Sequence, residues 1–144
     1  MESIVIRVES GLKKFIQKLS EEQNRSMSEV TRDLIKIGIE AEKEGGLKIT
    51  GPYGTQRPLS TLKFKGEEQR LAIRMNKELI NKLKNQFGKE TRKSARKAIR
   101  LGSLLIKPEQ TEIKGIIEPK KLFDGEKIEI EEEEAREAIE RLEK

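Results

Sequence analysis

The sequence predicts a mainly α protein with one short β-ribbon: a strand–helix–helix unit written twice, its two strands paired antiparallel over four helices. Three observations predict it. The stretch IVIRVESGL at Ile4–Leu12 returns as LAIRMNKEL at Leu71–Leu79. In each copy an alternating apolar pattern gives way to helical spacing. Each copy is also incomplete alone. One strand leaves its N–H and C=O groups without partners, and two short helices beneath it leave an apolar face open. A second copy supplies both needs.

The first unit spans 1–44. Ile4, Ile6 and Val8 alternate with Ser3, Val5 and Arg7, a strand with one apolar face. From about Ser10, Leu12, Phe15, Ile16 and Leu19 recur at helical spacing, with lysines and glutamates opposite. Asn24–Ser26 breaks this helix, and Ser26 with Glu29 forms an S-x-x-E capping box that starts another. Val30, Leu34, Ile37 and Ala41 stripe the second helix, and Gly45 and Gly46 are its expected end.

Residues 45–66 read as a linker, with GPYGTQRP between two strand-like pieces, LKIT and TLKF, that can pair as a hairpin. The second unit spans 67–107. Leu71, Ile73 and Met75 form one strand face and Arg70, Ala72 and Arg74 the other. Asn76 is the expected N-cap of a helix striped by Leu79, Ile80, Leu83 and Phe87. Gly88 breaks it, and Thr91 is the expected cap of a further helix with Ala95, Ala98, Ile99, Gly102 and Leu105 inside. Lys107-Pro108 ends that helix. Residues 108–144 form an acidic C-terminal extension with two strand-like pieces, EIKGII and KIEI. It closes in a helix from about Glu131, striped by Ala135, Ile139 and Leu142.

Composition narrows the function. Hydrophobic residues make up 33% of the chain and aromatics 3%, so apolar surface must be buried economically, across a partner interface if need be. No apolar run approaches a membrane span and no signal-peptide pattern opens the chain, so a soluble intracellular protein is expected. The absence of both cysteine and histidine removes the commonest metal ligands, the usual general base and the usual nucleophilic dyads. Neither an enzyme nor a cofactor is expected. The abundance of Lys, Arg and Glu fits a protein built for heat. Residues 1–107 hold 24 basic and 13 acidic side chains, a net of +11, and residues 108–144 hold 7 and 13, a net of −6. A basic body suits a polyanionic partner; simple solubility charge is the bland alternative.

Strand, helix, short break and capped helix, with an arginine before the last strand residue, resembles the ribbon-helix-helix transcription regulators. The resemblance covers Ser3 to about Glu42, and Arg70 to about Ile106. The tandem arrangement in a small chain without His or Cys is similar to that of regulators from hyperthermophilic archaeal viruses. The resemblance implies double-stranded DNA as partner, with the ribbon in the major groove. Ser3, Val5 and Arg7 of one strand and Arg70, Ala72 and Arg74 of the other would then read base edges. Arginine can donate two hydrogen bonds to guanine O6 and N7, and small apolar groups can touch the thymine methyl. Val5 and Ala72 depart from the polar residues frequent at the central position, which points to A·T-rich sites or to readout of shape.

The resemblance also implies phosphate contacts at the start of each second helix. These fall on Ser26, Met27 and Ser28 with Arg25 before them, and on Thr91, Arg92 and Lys93. The basic helix that carries Lys89, Arg92, Lys93, Arg96, Lys97 and Arg100 would neutralise further backbone charge. Against each reading stands a plain one. The arginines can be solvated strand residues, Ser26 can do no more than cap, and the basic run can be a solvated face. The acidic tail can be a solvated helix, a partner-binding helix, or a flap that competes with DNA for the basic face.

Three functions from different classes compete: a sequence-specific regulator, a low-specificity architectural protein that coats DNA, and an antitoxin-like interaction module. For pairing, residues 1–44 carry 8 basic and 9 acidic side chains and residues 67–107 carry 12 and 4. Joining unlike units avoids bringing two basic helices together, and a short tether supplies an effective concentration on the order of millimolar. The expectation is an intrachain pseudo-dimer, with Ser3–Val8 antiparallel to Arg70–Met75 and higher assembly possible through linker or tail.

Overall fold

The computed structural model describes residues 1–43, 48–50, 56–58, 64–106 and 132–143. In chain order its elements are β1 (Glu2–Glu9), α1 (Ser10–Gln23), α2 (Met27–Lys43), β2 (Lys48–Thr50) and β3 (Gln56–Pro58), then β4 (Glu68–Met75), α3 (Lys77–Phe87), α4 (Thr91–Ile106) and α5 (Glu133–Glu143). The described chain is mainly helical.

β1 and β4 pair antiparallel along their whole length, from Glu2 opposite Met75 to Glu9 opposite Glu68. Both strands run past the Ser3–Val8 and Arg70–Met75 of the apolar alternation, because backbone pairing continues where the polar ends begin. Alternation then sorts the side chains. Ile6, Val8, Leu71, Ile73 and Met75 are buried, and Ser3, Val5, Arg7, Arg70, Ala72 and Arg74 are exposed on the other face.

The first turns of the helices are closed in more than one way. α1 has no side-chain cap; the Ser10 and Gly11 N–H groups donate to the Glu67 and Lys65 carbonyls at 2.8 and 2.7 Å. A Cβ at Gly11 would stand 2.7 Å from the Lys65 oxygen, so that approach requires glycine. Asn24, at φ 52°, ends the helix in the left-handed region. α2 starts on Ser26, whose hydroxyl accepts the Glu29 N–H at 3.1 Å. Asn76 caps α3 by accepting the Leu79 N–H at 2.8 Å. Thr91, the expected cap of α4, is instead its first residue. The Glu90 carbonyl accepts the Ser94 N–H at 2.9 Å, and the Ser94 hydroxyl ties the turn to the Gly88 carbonyl, also at 2.9 Å.

α2 and α4 cross beneath the ribbon at two reciprocal notches. A Cβ on Gly38 would lie 2.1 Å from the Ala98 carbonyl oxygen, and one on Gly102 would lie 2.1 Å from that of Leu34. Gly102 follows Gly38, and Ala98 follows Leu34, by the same interval, so the two contacts exchange when the helices are exchanged. The close approach lets Leu34, Ile35, Ile37, Ala95, Ala98 and Ile99 share one core with Leu12, Ile16, Leu79 and Leu83.

Two buried carboxylates with arginine partners lie inside this frame. The basic run on α4 places Arg100 among its solvent-facing charges, but Arg100 is only 9% exposed and pairs with the buried Glu9 at 2.5 Å. Its position on the helix falls on the core side, where the Glu9 carboxylate compensates its charge. Asp33, also buried, accepts from the Arg141 Nε at 3.0 Å and is bridged by Arg25 at 2.8 Å. The Asp33 carboxylate raises the pKa of Arg141 above the usual guanidinium value. Through this contact and through Ala135, Ala138 and Leu142, α5 packs on α2 and touches α4. Ile139, expected in the buried stripe, sits half-buried at its edge.

Within the linker, Lys48–Thr50 of LKIT lies antiparallel to Gln56–Pro58, and residues 61–63 of TLKF lie outside the described residues. Phe64, the last residue of TLKF, is buried in the core, where an apolar ring gains more than on a two-stranded edge. The expected helix end at Gly45 and Gly46, the turn residues 51–55, the Lys107-Pro108 stop and the strands EIKGII and KIEI lie outside the described residues. Among the described residues no helix is long and apolar enough to cross a membrane.

Candidate nucleic-acid interface

The six exposed ribbon side chains form three cross-strand pairs: Ser3 opposite Arg74, Val5 opposite Ala72, and Arg7 opposite Arg70. Ala72 repeats Val5, so the central pair sets a position against its own counterpart. Arg7 and Arg70 set like charges face to face, an arrangement that destabilises a sheet unless an anion lies over it. A two-stranded ribbon of this width fits the major groove of duplex DNA.

The start of α4 extends the basic face. Arg7, Arg70, Arg92 and Arg96, with Glu68, line a cleft of about 450 Å³ at one end of the ribbon. Arg96 stands 3.8 Å from Glu68. Arg92 and Lys93 are exposed, Lys93 within 3.4 Å of Glu90, and Thr91 is half-buried. Thus Arg92 and Arg96 join the ribbon arginines in one site, while Lys93 lies at its margin.

The start of α2 reaches the other end by the opposite strand. The Ser28 hydroxyl donates to the Ala72 carbonyl at 3.5 Å, and the Arg32 guanidinium donates to the Arg74 carbonyl at 2.9 Å. The remaining residues proposed there for phosphate are largely committed elsewhere. Arg25 is held by Asp33 at 2.8 Å and by Glu29 at 3.4 Å. The Ser26 hydroxyl is shared between the Glu29 amide and carboxylate, and the Met27 side chain packs against the core.

No family model matches the sequence, and no curated protein or solved structure is significantly similar to it. The site therefore rests on its own geometry.

Sequence reasoning missed Arg32, which fastens α2 to β4. Its signal was available: Arg32 precedes Gly38 by the same interval by which Arg96 precedes Gly102. It also missed the hold of Asp33 on Arg25. The Arg141 partner lies 108 residues away, beyond any local pattern.

Proposed function

We propose that this protein is a sequence-specific, DNA-binding transcriptional regulator of the tandem ribbon-helix-helix type. Its two units form an intrachain pseudo-dimer, and it acts by occupying promoter DNA without a cofactor. The observation that carries the reading is the exposed ribbon face, where Arg7, Arg70 and Arg74 surround the small Val5·Ala72 centre with no acidic residue among the six. That face suits a groove lined by guanine acceptors and thymine methyls. Arg92 and Arg96 beside it suit the flanking phosphates.

A second reading, an architectural protein that coats DNA, is favoured by the same apolar centre, which offers no hydrogen bond to a base. Binding-site selection from random duplexes at fixed salt, followed by footprinting, separates the two. Enriched motifs with discrete protection support the regulator. Uniform protection supports coating, and absence of binding removes both.

A further inference from the structure

The two copies share a packing plan but not a surface. Exchange of the halves about the Val5·Ala72 centre brings the Arg7·Arg70 pair onto the Ser3·Arg74 pair. Two guanidiniums at one end thus answer to one guanidinium and a hydroxyl at the other. The helices differ more. The interval that relates Gly38 to Gly102 relates Ser28, Glu29, Arg32 and Asp33 to Arg92, Lys93, Arg96 and Lys97. One cation and two anions on α2 stand where α4 carries four cations.

The geometry enlarges the contrast. Arg92 and Arg96 open into the cleft with Arg7 and Arg70. At the opposite end Arg32 is bonded to the Arg74 carbonyl, Arg25 is held by Asp33, and the cleft beside Arg32 sets Lys36 and Lys82 against Glu78 and Glu134. A duplex laid along the ribbon therefore meets a more cationic end, with four arginines against Glu68, and a more balanced one.

We infer that the protein binds a non-palindromic duplex segment in a single orientation, with the Arg7·Arg70 and α4 end on the guanine-bearing side. The inference rests on the DNA-binding reading above and adds to it the polarity of the site. A symmetric sequence would set Ser3 against guanine acceptors that its single hydroxyl cannot engage bidentately. Phosphate attraction at the α4 end sets the same polarity independently of base sequence.

The chain has no cysteine, so Asn85→Cys gives one unique thiol in the full-length protein. Asn85 is exposed near the end of α3, beside the break that leads into α4, and makes none of the proposed contacts. A tethered iron-chelate cleavage reagent on that thiol reports where the α4 end lies on a selected site. The expected result is cleavage on one side of the site centre by about tenfold or more, the discrimination that one arginine–guanine contact supplies. Cleavage should move to the other side when the site is inverted within its fragment. Equal cleavage on both sides of a discrete site overturns the single orientation and leaves the DNA-binding reading standing. Failure to select or bind any duplex overturns both.

Discussion

The two strand–helix–helix units are alike where they face each other and unlike where they face outward. Inside, Gly38 and Gly102 make matching notches, and Leu34 and Ala98 sit across them. Outside, α2 is covered by α5 and its Asp33 is tied to Arg25 and Arg141, whereas α4 presents Arg92 and Lys93 to solvent. The first turns differ as well: α1 is closed by the Lys65 and Glu67 carbonyls, α3 by the Asn76 side chain. Packing has one geometric solution, so both copies keep it. Surface charge is set by what each side meets, so the copies diverge there.

Arg100 and its counterpart Lys36 give the sharpest contrast. Arg100 is buried against Glu9, while Lys36 is half-buried at the rim of a surface cleft. Arg100→Ala leaves Glu9 buried without a partner and should cost about 3–5 kcal/mol in urea unfolding. Lys36→Ala should cost under about 1 kcal/mol. Equal costs would break the distinction between the units.

The glycine notches test the likeness. Gly38→Ala and Gly102→Ala each push a Cβ against a partner carbonyl, so each should destabilise by about 3 kcal/mol, the upper part of the usual overpacking range. Similar losses in thermal unfolding confirm that the halves pack equivalently. A loss at only one would show that the crossing relaxes from one side.

On DNA, Arg7→Ala or Arg74→Ala should weaken binding by about 1–3 kcal/mol and relax preference at particular base pairs. Equal weakening on every sequence would reduce both arginines to backbone contacts. The smallest effect is electrostatic. Arg92→Ala should lower the slope of log affinity against log salt by about one unit, while Glu29→Gln on α2 should leave it nearly unchanged. Matching changes in slope would erase the polarity between the two ends.

Local signals carried most of the fold. Period-two alternation marked both ribbon faces, and the capping box at Ser26–Glu29 and the cap at Asn76 fixed two helix starts. What escaped depends on contacts distant in sequence. Glu9 and Arg100 are 91 residues apart, and a charge in a basic run is indistinguishable from a solvated one until its face is known. Arg25 read as free for phosphate because its partner Asp33 sits two turns into α2 and meets it only in the folded geometry. The β3 partner of Lys48–Thr50 was missed because Gln56–Pro58 has no apolar alternation and ends in proline, so it carries no strand signal.

Because β1 pairs with β4 of its own chain, every substitution enters the ribbon once. In a ribbon built from two identical chains, a change at one strand position is duplicated at its mate, so each half is bound to the history of the other. Here Ser3 can be altered while Arg70 stays, and the start of α2 can acquire or lose charge without disturbing that of α4. Each side of the face is a separate heritable character, and one end can be retuned by a single codon while the other holds its place.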